Sequence, residues 1–147
     1  MDSIFDKPSE SPGFLLWQVT NTWQKHIRHA LQRVDLTHVQ FVLLASCWWL
    51  SGQNERMGVT QVQLAQHAKV DVMMTSQVLR TLEKKNYIKR TPHPKDTRAN
   101  LITLTTQGER IVSQAVKIVE EADLAFFSKL ENELPRFVRL LNRLVDE

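Results

Sequence analysis

Met73, Met74, Ser76 and Gln77 lie close together in a chain of 147 residues, inside the one segment where cationic side chains accumulate. A glutamine amide can pair bidentately with adenine, a serine hydroxyl can bond a base edge or a phosphate, and a methionine can lie against a thymine methyl. The methionines have a plainer alternative use as gap-fillers packed under a neighbouring element. Residues 61–100 carry eight Lys/Arg against three Asp/Glu. Residues 1–60 balance at five against five, and residues 106–147 carry six basic against eight acidic side chains. The whole net charge of +3 therefore arises in the centre of the chain, where Arg80, Lys89, Arg90 and Lys95 suit a phosphate-binding surface.

Other chemistries find less support. His26 and His29 share one helical face, a spacing that can hold a metal, yet they have no clear carboxylate or thiol partner, so a surface or packing role is expected and no metal or other cofactor is called for. Cys47 is the sole cysteine, which excludes an internal disulfide. It sits in an apolar stretch with no nearby cation to stabilise a thiolate, so a buried, inert thiol is expected. There is no Gly-rich phosphate loop, G-x-S-x-G elbow or zinc-protease motif, which makes an enzyme the weaker class. The longest apolar run, 41–50, is about half a membrane span, and the first residues lack a secretory pattern. A cytoplasmic protein is the expectation.

The elements that must position these residues are mainly helical. Ser11-Pro12 opens an amphipathic first helix, with apolar positions from Leu16 to Val34. Thr37 and Gln40 form a capping box for a second, unusually apolar helix ending near Leu50. Thr60 and Gln63 repeat that pattern for a short third helix ending near Lys69, and Asp71 caps a fourth with Thr75, Val78, Leu79 and Leu82 facing inward. Two short helices joined tightly make a helix-turn-helix. Segments 87–91 and 100–105, around a long basic tip, read as a β-hairpin, and such a hairpin after a helix-turn-helix is a wing. A fifth helix should open on a capping box of Thr106 and Glu109 and run to about Ser128. A last one carries Leu134, Phe137, Val138, Leu141, Leu144 and Val145 on one side. One domain is expected, with 37–105 as the winged helix-turn-helix and 11–35 and 106–147 as dimerisation helices, because the terminal helices expose more apolar surface than one small domain can bury.

From Leu36 to Gly108 the chain resembles the MarR (multiple antibiotic resistance regulator) family. The resemblance rests on Leu36-Thr37 with Gln40-Phe41 and Leu43-Leu44, Val59-Thr60 with Gln63-Leu64-Ala65, the run from Leu82 to Arg90, Asp96-Thr97-Arg98, and Leu104-Thr105-Thr106-Gln107-Gly108. Asn86 stands where the family usually has glycine, and asparagine is the next-best left-handed C-cap. The resemblance implies a winged helix-turn-helix homodimer on a pseudo-palindromic operator, often a repressor, whose DNA affinity can be lowered by a small aromatic or phenolic compound or by oxidation. It further implies that Arg98 is the wing-tip arginine entering the minor groove and that Asp96 is the acid holding it. An effector pocket in the family lies between the dimerisation helices and the winged region. Trp17, Trp23, His26, Trp48 and Trp49 lie on helices that could line it, with burial in a dimer core as the commoner use of such aromatics. The rival readings are a ligand-independent regulator and a winged-helix dimer acting mainly as a protein-interaction module.

Overall fold

Short polar side chains set where the helices begin. In the computed structural model, which describes residues 1–145, Ser11 Oγ accepts from the Phe14 N–H at 3.3 Å, opening α1 (Pro12–Leu31). Thr37 and Gln40 form the reciprocal box that opens α2 (His38–Gly52), and Thr60 and Gln63 do the same for α3 (Gln61–Ala68). Asp71 Oδ1 accepts from the Met74 N–H at 2.9 Å to start α4 (Val72–Lys84). Each such cap contributes about 1 kcal/mol and satisfies a donor that the helix itself cannot.

The fifth helix corrects the expected cap by one residue. In α5 (Thr106–Phe127) the capping hydroxyl belongs to Thr105, whose Oγ1 accepts from the Gly108 N–H at 3.0 Å. Glu109 does not complete a box with Thr106. Its carboxylate turns to Arg56 at 3.6 Å. The last helix is α6 (Leu134–Val145).

Between α4 and α5 the hairpin pairs β1 (Ile88–Pro92) antiparallel with β2 (Asn100–Leu104), in a register that sets Ile88 against Leu104 and Arg90 against Ile102. Val59, just before α3, adds a bridge to Ile102 through two backbone hydrogen bonds of 3.0 and 2.7 Å. Gly58 makes this approach possible. It has φ +102°, and a Cβ there would lie 2.9 Å from Thr103 Cγ2.

The described chain forms two compact units, residues 31–118 and residues 1–30 with 119–145. The first is built on Leu43, Leu44, Cys47, Leu64, Leu79, Leu82, Ile88 and Ile102, all essentially buried. Thr75 is also fully buried, its hydroxyl satisfied by the Asp71 carbonyl at 2.8 Å. In the second unit Trp23 Nε1 donates to Asp123 Oδ1 at 2.7 Å. Val138, Leu144 and Val145 of α6 and Phe14, Leu15, Leu16 and Trp17 of α1 remain exposed there.

Candidate nucleic-acid interface

The placement of α4 follows from its inward stripe. Thr75, Leu79 and Leu82 are buried, and 100° per residue then turns Met73, Gln77, Arg80 and Lys84 to the opposite side. All four are exposed. Met74 is exposed as well, so neither methionine is packed under the hairpin. Ser76 is half-buried, and its hydroxyl and carbonyl oxygens accept from the Arg80 guanidinium at 3.4 Å. The helix closes with Asn86 in the left-handed region, φ +64°. The N–H of Tyr87 reaches back to the Leu82 carbonyl at 3.0 Å and the Asn86 amide donates to Gln107 Oε1 at 2.6 Å. The asparagine thus performs the turn expected of it and adds a side-chain tie that glycine lacks.

The wing tip is a hydrogen-bonded loop. Asp96 Oδ1 accepts from the backbone N–H of Arg98 at 3.0 Å, and His93 Nδ1 accepts from the N–H groups of Lys95 and Asp96 at 3.0 and 3.2 Å. The backbone closes underneath, with the His93 N–H donating to the Ala99 carbonyl at 3.1 Å. Asp96 therefore steadies Arg98 through the main chain, and among the described residues the Arg98 side chain has no carboxylate partner and is exposed. His93 was missed by sequence reasoning. Its imidazole accepts from two N–H groups that the turn leaves without a main-chain acceptor, a role that no local sequence pattern announces.

The remaining cations divide into two groups. Lys89 and Lys95 are exposed. Arg90 is turned inward: its Nε lies 3.6 Å from Glu83 Oε1 near the end of α4, and Nε and Nη2 are buried without a hydrogen-bond partner. Its charge ties the hairpin to α4, and the side chain is only partly exposed, lining a shallow pocket with Arg98. Lys85 is similarly engaged, donating to the Asp35 carbonyl at 3.1 Å.

Within the terminal unit a cavity of about 760 Å³ is lined by His26, His29, Phe126, Phe127, Leu130 and Phe137 among others. Of the five residues singled out for a ligand, only His26 lines it. Its ring lies 5.6 Å from that of Phe126, which stands edge-on to Phe127 at 5.0 Å. Trp23 lies on the same helix but makes its bond to Asp123, and Trp17 is exposed outside the lining. Trp48 and Trp49 belong to α2 in the other unit and are exposed, with Trp48 beside Arg56 and Glu109 in a small pocket. His29 also lines the cavity, and no cluster of three potential metal ligands exists among the described residues. Cys47 is buried with its thiol 3.7 Å from the Ile102 carbonyl, and burial pushes its pKa up to about 11. A protonated thiol of this kind is a poor nucleophile. No helix among the described residues is long and apolar enough to cross a membrane.

Comparison with known proteins agrees with this geometry. Residues 36–99 match the model of the MarR family. The HTH-type transcriptional regulator YdcH of Bacillus subtilis (strain 168), itself uncharacterized, is 48% identical over 142 residues, covering 95% of each chain. Wild-type MarR from E. coli in its apo crystal form superposes with a TM-score of 0.76 at 26% identity, over 91% of this chain and 96% of that one. The crystal structure of the S. aureus MepR–DNA complex gives 0.79 at 25% identity, over 92% and 96%. The exposed face of α4, the basic hairpin beside it and this likeness along nearly the whole chain make the protein a member of the MarR family of DNA-binding transcriptional regulators.

Proposed function

We propose that the chain acts in the cytoplasm as a homodimeric repressor of a pseudo-palindromic operator, with half-sites about one helical turn apart. The observation that carries this reading is one chain combining an outward α4 stripe beside a basic hairpin with terminal helices whose apolar side chains stand open. Pairing of α1 and α6 with a second copy would cover Leu16, Trp17, Val138 and Leu144 and set two reading heads on a shared base. Gln77 reads base edges, Arg98 reaches the minor groove, and Lys89 and Lys95 neutralise phosphates. The MepR complex supports duplex DNA as partner, since that relative was solved on DNA and is similar over nearly the whole chain.

A small aromatic ligand fits the cavity beside His26. Its volume lies in the range of small-molecule sites, and three phenylalanines with two histidines supply an apolar wall with polar points. Occupancy there lowers operator affinity by altering the terminal helices. Selection of bound duplexes from a random pool, followed by sizing of the complex, tests the reading. Enrichment of an inverted repeat bound by two chains is expected, and enrichment of nothing would refute it. Titration of the operator complex with phenolic acids tests the ligand, and unchanged affinity across a broad panel would leave the cavity as packing space between copies.

A further inference from the structure

The outward stripe of α4 has an unusual order for a DNA-reading face. Cations occupy its C-terminal half, at Arg80 and Lys84, while the half nearest the helix start carries only Met73 and Gln77. Arg80 is folded back on Ser76, so no guanidinium projects from the first two turns. Met73 is 76% exposed, the most open of the large apolar side chains on this helix, and Val72 and Met74 flank it at 53% and 47%. Side chains this apolar stand half or more open to solvent, or nearly so, at the start of the helix. Their surroundings are cationic: Arg80, Lys89, Lys95 and Arg98 are exposed nearby in sequence or across the hairpin, while Asp71 and Glu83 are occupied by a helix cap and by Arg90.

We infer that Met73 selects thymine by its C5 methyl group, and that Met73 and Gln77 together read a thymine and an adenine about two base pairs apart in each half-site. The inference rests on the DNA-binding reading above and deepens it. The thymine methyl is the apolar feature of the major-groove edges of the four bases, so an exposed methionine there gains most from thymine. Positions i and i+4 share a face and are separated by about 6 Å along the helix, against a base-pair step of about 3.4 Å. A helix lying along the groove therefore sets the thioether and the amide roughly two steps apart. Ser76 is held by Arg80, which leaves Gln77 as the exposed polar reader in these turns.

The test uses the full-length protein and an operator obtained by selection, with each thymine replaced in turn by uracil, which removes the methyl and preserves base pairing. At one symmetry-related pair of positions the replacement should weaken binding about fourfold per methyl removed, the worth of one buried methylene. Two base pairs from each such position the selected operator should carry an adenine. The Met73→Ala variant, altered at an exposed site and checked for native melting, should bind the thymine and uracil duplexes alike. Equal affinity of the native protein for both duplexes would overturn the assignment while leaving sequence-specific binding intact. An undiminished uracil effect in Met73→Ala would also overturn it. Failure to prefer any duplex would remove the DNA-binding reading itself, and the assignment with it.

Discussion

Asp96 places a carboxylate on the wing loop proposed above to approach DNA, and its contribution is open to a clean dissection. Its Oδ1 accepts from the Arg98 N–H at 3.0 Å, and the Arg98 side chain forms no ion pair with it. Asp96→Asn keeps an oxygen acceptor and removes the charge, whereas Asp96→Ala removes both. The charge lies within about one Debye length, roughly 10 Å at 0.1 M salt, of any phosphate the wing touches. Neutralising it should therefore leave affinity unchanged or improve it severalfold in both variants. The lost hydrogen bond adds a cost only in the alanine variant, about 1 kcal/mol per wing. Two wings on one operator make that about 2 kcal/mol, so Asp96→Ala should bind about thirtyfold more weakly than Asp96→Asn. Fluorescence-anisotropy titration of a labelled operator gives the ratio, and thermal melting confirms that the fold is unaffected. Equal affinities for the two variants would refute the idea that a main-chain tie orders the wing. A collapse of binding in Asp96→Asn would show that the carboxylate acts through its charge.

Arg98→Ala should weaken operator binding at least about tenfold without disturbing the fold, the loss expected when charge-assisted contacts disappear. Unchanged affinity in a gel-shift titration would take Arg98 out of the interface. Gly108→Ala should be strongly destabilising, by about 3 kcal/mol or more, because a Cβ would collide with the Tyr87 carbonyl oxygen and lie 2.9 Å from its carbonyl carbon. An unchanged urea midpoint would show that this junction of hairpin and α5 yields easily. Cys47 should resist peroxide and thiol reagents in the folded protein at neutral pH. With its pKa raised from 9.0 to about 11, it favours folding below pH 9 and loses that contribution as pH rises towards 11. Cys47→Ala should therefore flatten the stability loss across that window, and rapid labelling of the native thiol would contradict its burial.

Local chemistry was the most legible part of the fold. Thr37 with Gln40, Thr60 with Gln63, and Asp71 act within four residues of themselves, so their caps appear in the structure where the sequence places them. The same local rule slipped at Thr105-Thr106, two adjacent threonines, of which the first is also tied by its hydroxyl to the Asn86 carbonyl and serves as the cap. Pairings between distant segments were less readable. The single bridge from Val59 to Ile102 leaves no periodic pattern, and Arg90 looks like any other cation of a basic segment until the hairpin folds it against Glu83. At the cavity, rare tryptophans drew attention, whereas the wall is made by Phe126, Phe127 and Phe137, ordinary members of helical stripes. The outward placement of Met73 and Gln77 was readable because the buried stripe of α4 is unambiguous and the residues opposite it face outward.

Two copies of this chain are proposed to read one duplex together through α4 and the wing. The measurement that bears on it most directly is operator affinity as a function of salt, made on complexes whose stoichiometry is determined by light scattering. Two chains per inverted repeat are expected, with log affinity falling linearly with log salt at about 0.9 per neutralised phosphate and a smaller slope when Lys89 and Lys95 are replaced. One chain per duplex, or affinity indifferent to salt and to those lysines, would contradict the account.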